Sequence, residues 1–509
     1  MENSQKVIIF DVRKLLHKIP QILVSKDILI IALILLIGAV LRFYNLPEGM
    51  HYLGDEGRDT LITKEIIKFE HFPLVGPPTS VGNLYLGPLY FYSVAPFIGL
   101  FGFEPLGAAV FVVLLSLTTI GLIYFLAKEM FKSQLAAGLS ALLYAISPAA
   151  VEYGRWPWNP NVMPFFATLF IFSLWQVLGK RKERWIILTG ASLAFIFQSH
   201  YMGLAAIPVL AVAMIIKRPK LKKKIYWLTG LGIFLFLMSP LLIFDLRHDF
   251  LNSRGFWEIV TERSQGGFSL FDLFSRTRDR IRQIFGDFTG FGERSFTNNL
   301  MLALGFLAWV FLEKKKRRWW LLGAWLIAGG LFIGLYQGPT YFHYLEFLLP
   351  VCALFTGAIL ALVLQRKRIK YLGMILTAAL VGVFLFQSKS IIARVKVPNV
   401  EVTKELVRFI YQEAGEKPFN FSLLAENNYD SAYRYFFELW GIPAQYEGEV
   451  TDQLFVICEG EKGCQPHGNP KWEIAVFDAA YNGKIEEVGQ WEFYNFIRIF
   501  HFKPQKERE

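Results

Sequence analysis

The chain has 509 residues, of which 54% are hydrophobic, 16% aromatic and 19% charged, with a mean hydropathy of +0.37. A soluble chain carries about 25% charged residues; here the charges collect into short runs between apolar stretches of roughly 15–22 residues, near the length that crosses a bilayer as a helix. The net charge of +11 divides into −8 over residues 397–509 (11 Lys+Arg against 19 Asp+Glu) and +19 before them, with the basic runs beside apolar segments, which marks a multi-pass membrane protein rather than a nucleic-acid binder.

With the basic runs 128–132, 180–184, 217–224, 313–318 and 366–370 placed in the cytoplasm, the chain threads in one consistent way. Residues 1–26, carrying Lys6, Arg13, Lys14, Lys18 and Lys26, are a cytoplasmic segment with no cleavable signal peptide. Eleven spans follow, at 28–46, 108–127, 136–151, 161–178, 185–198, 203–216, 225–244, 299–311, 319–336, 345–364 and 371–386. Residues 84–103 are apolar enough to cross but hold Gly87, Pro88, Pro96 and Gly99. Counting them as a span would put Lys128–Lys132 outside, so they read as a broken helix in the interface or re-entering the protein.

Residues 27–396 thus form a transmembrane domain with a first outer loop at 47–106 and a long outer loop at 245–298. In the first loop, 59–70 has the spacing of an amphipathic helix, with Leu61, Ile62, Ile66 and Phe69 on one face and Asp59, Thr63, Lys64 and Lys68 on the other. Residues 397–509 alternate helical and strand patterns, with helices at 403–413 and 432–439 and strands at 420–425 and 454–458. That alternation predicts a small α/β domain on the extracytoplasmic side. There Cys458 and Cys464 are spaced for a small disulfide loop, which an oxidising compartment permits.

The densest polar cluster beside a span is His51-Tyr52-Leu53-Gly54-Asp55-Glu56-Gly57-Arg58-Asp59. Two adjacent carboxylates there provide a general base and a ligand for a metal or hydroxyl. The plainer alternative is a helix cap, with Asp55 or Asp59 paired to Arg58. Arg155, in Glu152-Tyr153-Gly154-Arg155-Trp156-Pro157-Trp158, is either a bidentate phosphate ligand or an ordinary interfacial anchor. His200-Tyr201, Arg247-His248-Asp249 and Tyr341-Phe342-His343-Tyr344-Leu345-Glu346 complete the candidates, and all fall on the same outer side. The sequence holds no Walker A loop, dinucleotide glycine pattern, zinc-type Cys/His spacing or Gly-x-Ser-x-Gly. An enzyme with an outer site and no nucleotide fold needs an activated substrate already in the membrane.

These pieces resemble the polytopic GT-C glycosyltransferases, in the branch of protein O-mannosyltransferases and lipid A aminoarabinose transferases. The resemblance covers roughly residues 27–390 and rests on four features. They are Asp55-Glu56 after the first span, Leu84-Tyr85-Leu86-Gly87-Pro88-Leu89-Tyr90, Ser147-Pro148 followed by Arg155, and the tyrosine-rich 341–350 stretch. It implies an all-α polytopic fold of GT-C type in the cell membrane, plus the small C-terminal α/β domain, and a donor sugar carried on a polyprenyl phosphate. It further implies that Asp55 deprotonates an acceptor hydroxyl on a protein, lipid or glycan, which attacks the anomeric carbon with inversion. Glu56 would position the acceptor or Asp55, or help ligate a divalent cation. Arg155, Arg247, His343 and Tyr344 would bind the donor phosphate, with Arg58, His200 and Glu152 as additional site residues.

One departure stands out: relatives often carry an Asp just after the second-loop arginine, where this chain has Asn159 and Asn161. A carboxylate metal site across both loops is therefore not implied. The competing classes are a flippase or exporter of lipid-linked saccharides, which buried charges in the spans would favour, and a receptor module merely anchored by its helices.

Overall fold

A computed structural model of the chain describes residues 26–505, apart from 80–83, 220–221, 263–268, 447–448 and 461–463. The expected cytoplasmic segment 1–26 lies outside the described residues except for Lys26.

Each of the eleven segments expected to span is helical. Among the described residues five helices are long and apolar enough to cross a bilayer: Leu106–Phe131, Asn159–Gly179, Lys224–Arg247, Glu346–Leu364 and Lys370–Ile392. Gln134–Ile146 and Pro148–Arg155 pass the same measure of length and composition together and are bent by 62° from one another. The outer surface of the bundle has the character that lipid requires. Leu29, Leu33, Leu36 and Val40 recur at helical spacing along Lys26–Phe43 and are all exposed, as are Ile225, Leu228, Leu231 and Leu235 along Lys224–Arg247. A soluble chain does not leave stripes of that size uncovered.

The bend at Ser147-Pro148 has a specific support. Proline lacks an N–H and breaks the helical ladder, and the freed backbone groups need partners at membrane depth. Arg42, fully buried near the end of the first helix, supplies them. Its guanidinium donates to the carbonyls of Ala145 (2.8 Å) and Ala150 (3.0 Å), one on each side of the break, and to Ser116 Oγ (2.8 Å). Ser147 Oγ donates to the Phe288 carbonyl at 2.7 Å.

Residues 84–103 are not one helix, as the Gly and Pro pattern predicts. Leu86 pairs with Gly76 and Pro77 through Gly76 N–H to Leu86 O (2.8 Å) and Leu86 N–H to Pro77 O (2.9 Å), and among the described residues of 84–103 only Leu89–Leu100 is helical. The non-helical backbone is satisfied by protein. Tyr85 exchanges hydrogen bonds of 2.8 and 2.9 Å with the Asn252 side chain and accepts from Tyr201 OH at 2.9 Å.

The C-terminal residues build a five-stranded sheet from β1 (Phe419–Ala425), β2 (Ala444–Gln445), β3 (Leu454–Glu459), β4 (Ile485–Phe493) and β5 (Ile497–Pro504), in the order β2-β1-β3-β5-β4. β1 is parallel to β2 and β3, whereas β5 runs antiparallel to β3 and β4. The helices Val400–Glu413 and Ser431–Leu439 pack on the sheet through Leu406, Ile410, Tyr433 and Phe437. Cys458, at the end of β3, is disulfide-bonded to Cys464.

This C-terminal unit sits on the loop that follows the first helix, and that contact corrects the amphipathic reading of 59–70. The helix runs Gly54–Ile67, and its polar residues Asp59, Thr63 and Lys64 are buried, whereas Phe69, just past its end, is 81% exposed. The polar face is covered by protein and the charges there are paired: Lys64 Nζ lies 2.5 Å from Glu438 of the Ser431–Leu439 helix. Two glycines permit the approach. A Cβ on Gly57 would stand 2.2 Å from the Ala432 nitrogen, and one on Gly54 would meet the Tyr429 ring at 2.5 Å.

Candidate active site

The site begins at the first turn of the Gly54–Ile67 helix. Glu56, the third residue of that helix, accepts the Leu53 backbone N–H at 2.8 Å, which satisfies one of the donors a helix start leaves free. The cap is thus Glu56, not Asp55 or Asp59, and it explains why the helix starts at Gly54. Glu56 Oε1 accepts the Trp156 indole N–H at 2.7 Å, tying the loop around residues 152–161 to the one that carries Asp55. Both of its carboxylate oxygens are therefore engaged. Burial, reinforced by the neighbouring Asp55 charge, pushes the Glu56 carboxyl up to about 7.

Asp55 is half-exposed, its side chain 39% accessible. Its Oδ1 accepts from Arg58 Nη1 at 2.8 Å and from the Tyr429 hydroxyl, which comes from the C-terminal unit. Its Oδ2 carries no hydrogen bond among the described residues. Arg58 also chelates Asp59 Oδ1, at 2.9 and 2.6 Å. The other Asp59 oxygen is buried and meets no partner among the described residues, as does the Tyr90 hydroxyl. Both residues line a small cleft behind the helix, with Tyr52, Glu56 and Thr60. Burial raises the Asp59 carboxyl to about 6, although Arg58 pulls it down.

Around Asp55 stands a wall of rings. Trp156 stacks on Trp158 at 4.9 Å and touches His51 at 5.0 Å. Trp158 meets His343 edge-on at 4.7 Å, His343 lies 4.7 Å from Tyr344 and 5.4 Å from His200, and His200 lies 4.8 Å from Tyr344. Burial lowers His200 to about 3 and His343 to about 4, and His343 is near enough to feel the Asp55 charge in the opposite sense. At neutral pH both imidazoles are uncharged hydrogen-bond partners.

The structure therefore brings Asp55, Glu56, Arg58, His343, Tyr344 and His200 into one neighbourhood. Arg155 is placed differently: its Nη2 donates to the carbonyls of Tyr44 and Asn45, both at 2.7 Å, while its buried Nε and Nη1 meet no partner among the described residues. Glu152 pairs with Lys396 at 3.3 Å. Arg247 is exposed at the end of its helix. Among the described residues no three His, Cys, Asp or Glu side chains cluster to hold a metal.

Two participants escape sequence reasoning. Trp156 looks like an interfacial aromatic, and Tyr429 lies in Asn427-Asn428-Tyr429-Asp430, a turn-forming run that joins a strand to a helix. Nothing in either stretch points to residues 55 and 56.

Residues 86–244 match the model of the family described as dolichyl-phosphate-mannose-protein mannosyltransferase. No curated protein matches the chain. The structure is similar to ArnT from Cupriavidus metallidurans bound to undecaprenyl phosphate, with a TM-score of 0.61 and 14% identity over 93% of this chain and 97% of that one. It is also similar to the oligosaccharyltransferase AglB from Archaeoglobus fulgidus in complex with an inhibitory peptide and a dolichol-phosphate. There the TM-score is 0.51 and the identity 14%, over 92% of this chain and 74% of that one. The chain has the GT-C fold of a multi-pass membrane protein, as the sequence motifs imply.

Proposed function

We propose that this chain is a membrane glycosyltransferase that moves a sugar from a polyprenyl-phosphate donor to an acceptor hydroxyl on the non-cytoplasmic face, with Asp55 as general base. The observation that carries the proposal is the asymmetry of Asp55. One oxygen is held by Arg58 and Tyr429, and the other is free at a half-exposed position on the GT-C fold. Oδ2 takes the proton of the acceptor hydroxyl as its oxygen attacks the anomeric carbon. The bond from that carbon to the phosphate oxygen breaks, its electron pair leaves on the polyprenyl phosphate, and the configuration inverts. Asp55 then returns its proton to solvent.

The leaving phosphate needs donors and positive charge more than an acid. His343, Tyr344 and His200 supply donors beside Asp55, whereas Arg155, buried and tied to the Tyr44 and Asn45 carbonyls, and Arg247, exposed at its helix end, lie apart from it. Glu56 and Glu152 hold the second loop and the chain near Lys396 in place. The disulfide between Cys458 and Cys464 supports an extracytoplasmic C-terminal unit, because such bonds persist in oxidising compartments. The buried Arg42 is spent on backbone carbonyls, which removes one of the intramembrane charges a saccharide exporter would use.

The test is Asp55→Asn. Incorporation of labelled sugar from polyprenyl-phosphate-linked hexose and pentose donors into membranes of a strain lacking the chain should fall by ~10²–10⁴, while the melting temperature stays unchanged. A variant that transfers at the normal rate overturns the assignment.

A further inference from the structure

The contact between Tyr429 and Asp55 joins residues from the two ends of the chain, and its hydrogen bonds have a fixed direction. Arg58 Nη1 donates both to Asp55 Oδ1 (2.8 Å) and to the Tyr429 phenol oxygen (2.9 Å). An arginine has no acceptor, so the phenol's own proton is left for Asp55. Burial and the adjoining carboxylate raise the phenol above its ordinary value, which keeps it a donor. The loop that carries it is held at both ends. Asn428 Oδ1 accepts the Gly54 N–H at 2.7 Å, and Asn428 Nδ2 donates to Glu459 Oε2 at the end of β3 at 2.8 Å. Glu459 Oε1 in turn accepts from Tyr433 OH at 2.7 Å. The Tyr429 ring itself lies where a Gly54 side chain would be.

We propose that Tyr429 is a positioning residue for Asp55, through which the C-terminal unit completes the active site by fixing Oδ1 and leaving Oδ2 to face the acceptor. The inference rests on Asp55 being the base. It makes the C-terminal unit part of the catalytic machinery rather than a separate module, since an Asp55 held by Arg58 alone can turn either oxygen outward. The groups that set the charge around Asp55 are Arg58, Glu56 and Asp59 on its own helix, Tyr429 from the C-terminal unit and His343 across the site.

The experiment compares the full-length chain with Tyr429→Phe and with 3,5-difluorotyrosine at position 429. Transfer is read as above, as a function of pH, with melting temperature as the folding control. Tyr429→Phe keeps the ring on Gly54 and removes one hydrogen bond to a carboxylate. The expected result is a roughly tenfold lower kcat and an acid limb displaced to higher pH, because a donor that favours the ionised carboxylate has gone. The more acidic fluorinated phenol is a stronger donor and moves the limb to lower pH. An unchanged rate and pH profile overturns the proposal, as does a uniform loss of rate with no change in profile. Faster transfer by Tyr429→Phe also overturns it and identifies the phenol as an occupant of the acceptor hydroxyl's place. Activity retained in Asp55→Asn would instead remove the base assignment itself, so the two failures are distinguishable.

Discussion

Gly57 faces the N-terminal turn of the Ser431–Leu439 helix, and Gly57→Ala tests whether that contact matters. The added Cβ would lie 2.2 Å from the Ala432 nitrogen, 2.4 Å from its Cα and 2.5 Å from the Ser431 carbonyl carbon. These are backbone atoms of a helix, so no side-chain rotation relieves them. Reaching an ordinary contact of 3.4 Å requires the two helices to separate by about 1.2 Å (3.4 less 2.2). The same displacement applied to the Asn428–Gly54 hydrogen bond takes it from 2.7 to about 3.9 Å, beyond any useful interaction. The pair of the buried Lys64 with Glu438 stretches by the same movement from 2.5 to about 3.7 Å. Against this stands the better helix propensity of alanine, worth about 1 kcal/mol. Overpacking costs ~1–3 kcal/mol, and the loosened Lys64 pair adds to it, so the net effect is destabilising by roughly 1–3 kcal/mol. Gly57→Ala should therefore melt several degrees lower in detergent and lose most of its transferase activity through the displaced Tyr429. Gly232→Ala, with no atom within 4 Å of the new Cβ, is the control and should melt at or above the parent temperature. A Gly57→Ala variant with parental stability and rate refutes the reasoning.

Stability should also report the two buried acids. Glu56 rises from 4.5 to about 7 and Asp59 from 3.8 to about 6, so the fold favours their protonated forms. Their contribution is complete below about pH 4 and is lost as pH rises through 6 and 7. Asp59→Asn should flatten the decline in melting temperature between pH 4 and 6 while leaving the part due to Glu56, and an unaltered slope would contradict the assignment. Arg42→Met leaves the Ala145 and Ala150 carbonyls without donors inside the bundle. At ~1–3 kcal/mol for each orphaned group, it should melt well below the parent or fail to accumulate; parental thermal stability would show that the bend needs no such support.

The parts of the fold that face lipid were the most legible. Apolar length, basic flanks and the Gly and Pro content of 84–103 predict the apolar helices and the broken segment, because lipid imposes one rule on all of them: satisfy the backbone internally. The polar helices Leu251–Glu262 and Leu270–Thr289, read as loop, carry no such signal. In the C-terminal unit the helices Val400–Glu413 and Ser431–Leu439 and strands β1 and β3 were equally readable from periodicity, whereas the helix Trp472–Ala480 and strands β2, β4 and β5 were not. The faces of the Gly54–Ile67 helix were not. Asp59, Thr63 and Lys64 look solvent-facing by composition, yet all three are buried, Lys64 against Glu438, 374 positions away, and Asp59 beside Tyr90. An amphipathic pattern records which side differs in polarity; it does not record which side another part of the chain will cover. Asp55 could be singled out because two carboxylates beside a span are unusual, whereas the loop that orients it has the composition of any turn.

The neighbouring histidines carry a last consequence for the donor. Burial holds His200 and His343 at about 3 and about 4, so neither carries charge at neutral pH in the unliganded protein. Arg58 already lies between Asp55 and Asp59, and Arg155 Nη2 is taken by two carbonyls. A phosphate dianion placed beside the imidazoles would favour their protonated forms. Binding of polyprenyl phosphate should then take up protons, so affinity should rise as pH falls from 8 to 6, well above where either histidine titrates alone. His343→Gln keeps a hydrogen-bond donor but cannot be protonated, and should bind with a shallower pH dependence. The phosphate's own ionisation near pH 6 is common to both proteins and cancels in the comparison. Titration of undecaprenyl phosphate into parent and variant across that range decides the matter. Parallel pH profiles would mean that the charge on the leaving group is met by arginine alone and that His343 serves the wall of rings only by packing.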